Sequence, residues 1–339
     1  MVYVLPPEPS LATAKDLPTF QHMVDDDQVA QSKAIQQQTG KTFHVATRLL
    51  PERVREATYV LYAFFRVADE VVDDAGDATP EQQREELLEL QAAALGKAET
   101  DDPILTAFSE MRERYDIADS DVETFIDAML SDTTTSRYET YEELETYMDG
   151  SAAAVGRMMT AVMDPDDPDT ALAHATALGE AFQLSNFLRD VREDIVDRDR
   201  IYLPQTTLEE HGVTEEQLLN FEMTPEFAAA MQAELRRAER LYEDGVAGIK
   251  YLPEDCQLAV LLAAVLYADH HRLIRELEYD VLSETPELST TRKLYLLAKT
   301  RWRWTWNKDP EAVFREVSGI GSADRQHRGA EPVEKIPTR

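Results

Sequence analysis

Along most of the chain apolar residues recur at the three- and four-residue steps of an amphipathic helix. No sustained alternating run bounded by Asn-Gly or Asp-Gly turns suggests strands. Polar positions mark helix starts: Thr79 before Pro80 with Gln82, Asp102 before Pro103, Ser120 with Glu123, Thr214 with Gln217, and Thr224 before Pro225. Each sets a capping oxygen ahead of a proline or a capping-box partner. The pattern predicts an all-α chain with one domain over residues 31–316. An acidic tail (1–30) and a tail expected to be disordered (317–339) flank it. MDPDDPDT, Met163–Thr170, is short enough to be an interhelical loop, and the longest apolar run, Leu258–Ala268, reads as a buried helix too short to span a bilayer.

Two segments put charge where this pattern calls for burial. YVLYAFFRVADEVVDD, Tyr59–Asp74, is apolar on nearly every side, yet Tyr62, Arg66, Asp69 and Asp73 fall on a single helical stripe. In LGEAFQLSNFLRDVRED, Gln183, Asn186, Asp190 and Asp194 form a matching stripe. Carboxylates about 6 Å apart repel by roughly 3 kcal/mol at an effective dielectric near 20, so a cation must sit among them. Arginine could serve one pair. Hard oxygen ligands left half-open suit Mg²⁺, with Mn²⁺ as a substitute, because Mg²⁺ takes a few carboxylates and shares the rest of its shell with phosphate and water. A solvated, salt-bridged helix end would account for Glu193, Arg198 and Asp199. It does not account for Asp69 and Asp73, whose helix offers little polar face.

Composition narrows the partners. A net charge of −32, from 66 acidic against 34 basic residues, argues against nucleic acid and against an anionic membrane held by a basic patch. Arginine outnumbers lysine on this acidic chain, as in haloarchaeal cytoplasmic proteins. The lone Cys256 excludes an internal disulfide and a cysteine-rich metal cage, and its surroundings suggest packing. The N-terminus shows no secretory pattern.

The second stripe with its flanks, Leu178, Gly179, Gln183, Asn186, Phe187, Arg189, Asp190, Val191, Asp194, Arg200, Tyr202 and Pro204, resembles the second aspartate-rich signature of the squalene and phytoene synthase family. Tyr62, Arg66, Asp69 and Asp73 resemble its first, and YMDGSAAAVG, Tyr147–Gly156, an intermediate motif. GKTFHVATRLLP and the block from Leu252 to Leu282 are more similar to the phytoene synthase branch. Two positions depart from the pattern. Met148 stands where Cys is usual, and Tyr279-Asp280-Val281 is followed by Leu-Ser-Glu-Thr instead of a basic pair, which leaves Arg292 or Lys293 to replace it.

The resemblance implies an isoprenoid-synthase-type helical bundle around a central apolar cavity. It implies head-to-head condensation of two geranylgeranyl diphosphates to phytoene through prephytoene diphosphate, the first step of carotenoid formation, with downstream carotenoid enzymes as partners. Asp69, Asp73, Asp190 and Asp194 would hold Mg²⁺, and no NADPH is expected. Lys41, Tyr62, Arg66, Gln183, Asn186, Arg189, Arg200, Tyr202 and Tyr267 would bind substrate, and Arg200, Tyr202 and Pro204 would form a flap. The alternatives are squalene or dehydrosqualene formation from farnesyl diphosphate, and a non-catalytic assembly or binding protein of the same fold.

Weaker signals stay ambiguous by sequence. Phe43, Phe64, Phe65, Phe182, Phe187 and Tyr267 could line a cation cavity, although aromatics on buried helices are usually core. GSAAAVGRMM from Gly150 could bring helices close or leave a trough for an isoprenoid chain. His44 lacks a second histidine at metal spacing, and His270 and His271 cannot share one helix face. Trp302 and Trp306 are expected to pack a terminal helix, while lipid substrates leave peripheral membrane contact open.

The charge carries a prediction. Molar KCl screens the self-repulsion of the acidic surface, so cooperative unfolding should require it. A cooperative thermal transition of unchanged midpoint in low-salt buffer, followed by circular dichroism, would refute the expectation.

Overall fold

The structure, a computed structural model, describes residues 46–320 except 74, 75 and 77. Among them the secondary structure is helical, and the single extended pairing is a parallel bridge between Arg137 and Ile201. In chain order the helices are α1 (Glu52–Asp73), α2 (Pro80–Ala94), α3 (Pro103–Arg114), α4 (Asp119–Asp132) and α5 (Tyr141–Met148). There follow α6 (Ala154–Met163), α7 (Pro168–Arg189), α8 (Val191–Arg198), α9 (Gln205–Glu210) and α10 (Glu215–Leu219). The series ends with α11 (Pro225–Ala247), α12 (Glu254–Glu276), α13 (Thr290–Trp306) and α14 (Pro310–Ser318). A π-helical turn, Asp149–Ala153, joins α5 to α6.

Four of the five capping expectations are met. Thr79 and Thr214 form capping boxes with Gln82 and Gln217, Asp102 accepts from the Ile104 and Leu105 amides, and Thr224 accepts from Phe227. Ser120 does not cap. Its helix begins at Asp119 behind Ala118, with no side-chain cap, and the Asp119 carboxylate is taken by Arg112 at 2.6 Å. Met163–Thr170 is an interhelical link, in which Asp164 takes a left-handed conformation and Asp167 caps α7.

The central element is α7, which packs on α6, α11, α12 and the π-helical turn. Close approach there depends on missing side chains. A Cβ on Gly179 would lie 2.6 Å from the Ala152 carbonyl oxygen, and one on Gly156 2.7 Å from that of Ala175. The small-residue segment therefore serves both of its readings. Gly156 lets α6 close on α7, while Ser151, Ala152, Val155 and Met159 face the cavity described below.

The Leu258–Ala268 run is the buried middle of α12, and Cys256 is buried at its start. His270 and His271 are both buried but face differently. His271 Nε2 lies 2.9 Å from Ser185 Oγ, whereas His270 turns to the cavity. Glu239 lies 3.6 Å from His271 Nδ1, but Ser185 is 1% exposed and absent from the cavity wall, so this Ser-His-Glu set is internal bracing without substrate access.

At the C-terminal end two expectations fail. Val317 and Ile320, assigned to the tail, are buried against α12 and its neighbours. Trp302 and Trp306 do not pack: they are 57% and 79% exposed, and Trp304 is buried in their place. Helical phase explains this, because Leu296, Thr300 and Trp304 form the inward row of α13. No helix among the described residues is long and apolar enough to cross a membrane.

Gly179→Ala should force α7 away from the Ala152 backbone and cost about 1–3 kcal/mol, as overpacking does. The check is a lowered denaturation midpoint in KCl, and an unchanged midpoint would mean that the interface yields freely.

Candidate active site

A cavity of about 920 Å³ runs beside α7, walled by α1, α4, α6, α8 and α12. It is lined by α7 residues from Ala171 to Arg189 and then by Asp190, a wall roughly 28 Å long at about 1.5 Å per residue. Polar side chains gather at the Asp190 end. Toward Ala171 the lining is mostly small and apolar, including Ala175, Leu178, Gly245, Gly248 and Ile249, with His174 and Thr160 as polar exceptions.

Both stripes reach this cavity. From α1 come Tyr62, Arg66, Asp69 and Asp73, and from α7, α8 and the break between them come Gln183, Asn186, Arg189, Asp190 and Asp194. Arg200, Tyr202 and Tyr267 line it too. Lys41, Phe43 and His44 lie outside the described residues. Of the remaining aromatics, Phe65, Phe182, Phe187 and Tyr267 face the cavity, whereas Phe64 is fully buried and stacks on Phe108 at 3.8 Å.

Three arginines hold the carboxylates. Arg66 Nη1 lies 3.2 Å from Asp69. Arg189 grips both oxygens of Asp190, with Nε at 2.6 Å from Oδ1 and Nη2 on Oδ2. Adjacent side chains on a regular helix do not face each other, and here the helix is not regular. It stops at Arg189, and Asp190 has φ −101° and ψ 16° before α8 begins. The second stripe is thus a broken helix, not the continuous one expected from spacing, and the break lets Arg189 meet Asp190. Arg198 joins the two walls: Nη2 lies 3.1 Å from Asp73 Oδ2 and Nη1 3.5 Å from Asp194 Oδ1. By spacing alone Arg198 reads as part of a solvated helix end, because spacing along one helix does not show what faces it. Asp199 does fit that reading, with its side chain 80% exposed.

Asp132, at the end of α4, was not anticipated. Its carboxylate accepts from Tyr147 Oη at 2.9 Å and lies 3.5 Å from Arg200, whose Nη2 donates to the Asp132 carbonyl at 2.8 Å. Nothing in its local sequence distinguishes it. Arg200 and Tyr202 are buried, with Tyr202 stacked on Phe187 at 3.8 Å, and Ile201 is tied to Ser136 by a backbone hydrogen bond. This segment is a packed wall, not the expected flap. Of the two basic residues offered for the late loop, Lys293 lines the cavity beside Thr285–Leu288. Arg292 is committed elsewhere, bound to the buried Asp269 at 2.6 and 3.0 Å.

The electrostatics follow from burial and crowding. Burial, opposed by Arg66 and reinforced by Asp73 and Asp132, pushes the Asp69 carboxyl up to about 7. Its side chain keeps 37% accessibility, so water in the cavity tempers this rise. Burial and then Asp190 push Asp194 up to about 7, and burial pushes Asp132 up to about 6. Hydrogen bonding to Asp73, set against burial, holds Arg198 above the ordinary guanidinium range.

Among the described residues, no group of three or more Asp, Glu, His or Cys side chains is gathered closely enough to form a metal cage by itself. The four predicted aspartates are divided between two walls. This donor set fits Mg²⁺, which takes one or two carboxylates and leaves the rest of its shell to diphosphate oxygens and water.

Comparison with known proteins agrees with this geometry. Residues 36–293 match the model of the squalene/phytoene synthase family. The chain is 31% identical over 316 residues to the 15-cis-phytoene synthase of Synechococcus elongatus, covering 90% of this chain and 99% of that protein. It is 34% identical over 264 residues to the phytoene synthase of Thermus thermophilus, covering 76% and 87%. Among solved structures, a dehydrosqualene synthase in complex with ligand superposes with a TM-score of 0.75 at 28% identity, covering 86% of this chain and all of that one. The arginine-braced aspartates at one end of a long cavity and these matches together establish that the chain is an all-α prenyltransferase of the squalene/phytoene synthase family.

Proposed function

We propose that the enzyme condenses two geranylgeranyl diphosphates head to head, through prephytoene diphosphate, to phytoene. The observation that carries this reading is the placement of both carboxylate stripes at one end of a single cavity whose remaining length is lined mostly by small and apolar residues. That division suits a charged head and a long hydrocarbon tail. The similarity to phytoene synthases over most of the chain favours the C20 substrate.

In this reading Asp69, Asp73, Asp190 and Asp194 would hold Mg²⁺, which when bound supplies Lewis-acid stabilisation of the departing diphosphate. Arg66, Arg189, Arg198 and Lys293 place positive charge where the leaving group gathers negative charge. Tyr62, Gln183 and Asn186 present hydrogen-bonding groups one or two turns from the aspartates and orient the phosphate oxygens. Phe65, Phe182, Phe187 and Tyr267 offer ring faces to the carbocation and keep water from it. Two ionisations release two diphosphates, and two protons leave, one as the cyclopropane of prephytoene diphosphate closes and one from the final cation, so the C40 hydrocarbon forms without a reductant.

The solved dehydrosqualene synthase of similar fold keeps a second reading open, condensation of farnesyl diphosphate. Incubation with Mg²⁺ and each diphosphate in molar KCl, with and without NADPH, separates the two. Phytoene from the C20 substrate without NADPH is expected, and product from farnesyl diphosphate alone, dehydrosqualene without NADPH or squalene with it, would overturn the proposal. Asp190→Asn should cut turnover by at least about 100-fold with the helical signal intact, since it removes charge from the leaving-group site. Unchanged turnover would remove the carboxylates from the mechanism and favour a non-catalytic role for the pair.

The raised Asp194 carboxyl gives a second test. A carboxyl that binds its proton more tightly in the folded chain stabilises the fold below its unfolded pKa near 4, and that stability is lost as pH rises through about 7. The metal-free protein should therefore lose stability across this window. Asp194→Asn should flatten the loss and stabilise the metal-free protein at pH about 8 by about 1–3 kcal/mol. A variant that melts below the parent at that pH would contradict the assignment.

A further inference from the structure

The outer face of α13 is unlike the rest of this acidic molecule. The helix carries five basic residues and no acidic one, in a chain whose net charge is −32; Arg292 is held by the buried Asp269 and Lys293 lines the cavity, which leaves Lys299, Arg301 and Arg303 for the outer side. Of the eight large hydrophobic side chains that stand exposed among the described residues, four lie here: Leu294 (60%), Tyr295 (50%), Trp302 (57%) and Trp306 (79%). They fall on two adjacent rows at steps of four, three and four. One row runs Leu294, Ala298, Arg301 and Thr305, and the other Tyr295, Lys299, Trp302 and Trp306. Cations flank the rings, with Arg303 4.6 Å from the Trp302 centroid and Lys299 5.9 Å from that of Tyr295. Arg301 is exposed, whereas Arg303 also pairs with Glu316.

We propose that this face of α13 docks on an anionic lipid membrane. Amphipathic rings at headgroup depth, rimmed by Lys and Arg, are the chemistry that binds such a surface. A second copy is disfavoured as the occupant, because two such faces brought together would oppose like charges. The overall charge does not forbid docking. Salt screens the distant acidic residues within about 8 Å at 0.15 M ionic strength, so the bilayer feels the helix laid against it and not the whole chain. The expectation drawn from net charge, that no basic patch would meet an anionic membrane, averaged away this local reversal of sign. The docked helix also continues directly from the Thr285–Leu288 wall of the cavity, and Lys293 in its first turn lines that cavity, so docking sets the cavity wall beside the lipid.

The test is flotation of the full chain with phosphatidylcholine vesicles and with vesicles also containing phosphatidylglycerol. It is run at about 1 M KCl, where screening acts within roughly 3 Å, and at the lowest KCl that preserves the helical signal. Partitioning is expected at both salts, with a preference for phosphatidylglycerol that grows as salt falls. Trp302→Ala with Trp306→Ala should weaken partitioning by about 10-fold or more through lost apolar burial. Arg301→Glu should weaken it chiefly at the lower salt. Circular dichroism and turnover of detergent-dispersed substrate should be unchanged in both variants. Failure of the folded wild type to float, or equal flotation of the double variant, would overturn the proposal. So would self-association that the double variant abolishes while vesicles are ignored, an outcome that assigns the face to a second copy. None of these readouts depends on which diphosphate the enzyme uses.

Discussion

The arrangement of the site rests on opposed negative charges that must be kept close and partly dry. Asp73 and Asp194 come from different walls of the cavity, and Arg198 spans them. Arg66 and Arg189 brace the partners of each, Asp69 and Asp190. A buried carboxylate without a partner would neutralise itself by binding a proton. The direction of the shifts at Asp69 and Asp194 shows how near this site stands to that limit. The arginines reduce the repulsion without filling the acceptor capacity of the carboxylates, and this leaves an arrangement that can still take a divalent cation and an anion together.

That charged end can exist only because the helices behind it pack closely enough to enclose a cavity of limited width. Gly156 and Gly179 remove the side chains that would hold α6 and the π-helical turn away from α7. The space is then shaped by Ser151, Ala152, Val155 and Met159. Stability and function compete at the same helix. The break after Arg189 interrupts α7 where an ordinary helix would continue, and it is this break that pairs Arg189 with Asp190. The Ser185–His271–Glu239 contacts brace the neighbouring turn from the side away from the cavity.

The outer surface follows a separate logic. Acidic residues dominate it, yet α13 collects basic and aromatic groups along its outward rows. A sum over the chain cannot reveal such a reversal. Its position next to the cavity wall ties a surface property to an enzyme whose family works on lipid-like molecules.

By itself the sequence determined the helical class, most of the capped helix starts and the membership of both aspartate stripes, because each depends on spacing within one segment. Tyr62, Arg66, Asp69 and Asp73 share a face whatever surrounds them, and Thr79 caps its helix through atoms three residues away. Tertiary structure alone decided what stands opposite. Arg198 reads as solvated in its own helix and becomes a bridge only because Asp73 faces it. Asp132 is an unremarked residue until α4 delivers it to the cavity, and Trp304 in place of Trp302 is buried because the phase of α13 against its neighbours selects the inward row. Periodicity defines a face, but pairing depends on where two segments distant in sequence are brought by packing, and neither segment encodes that alone.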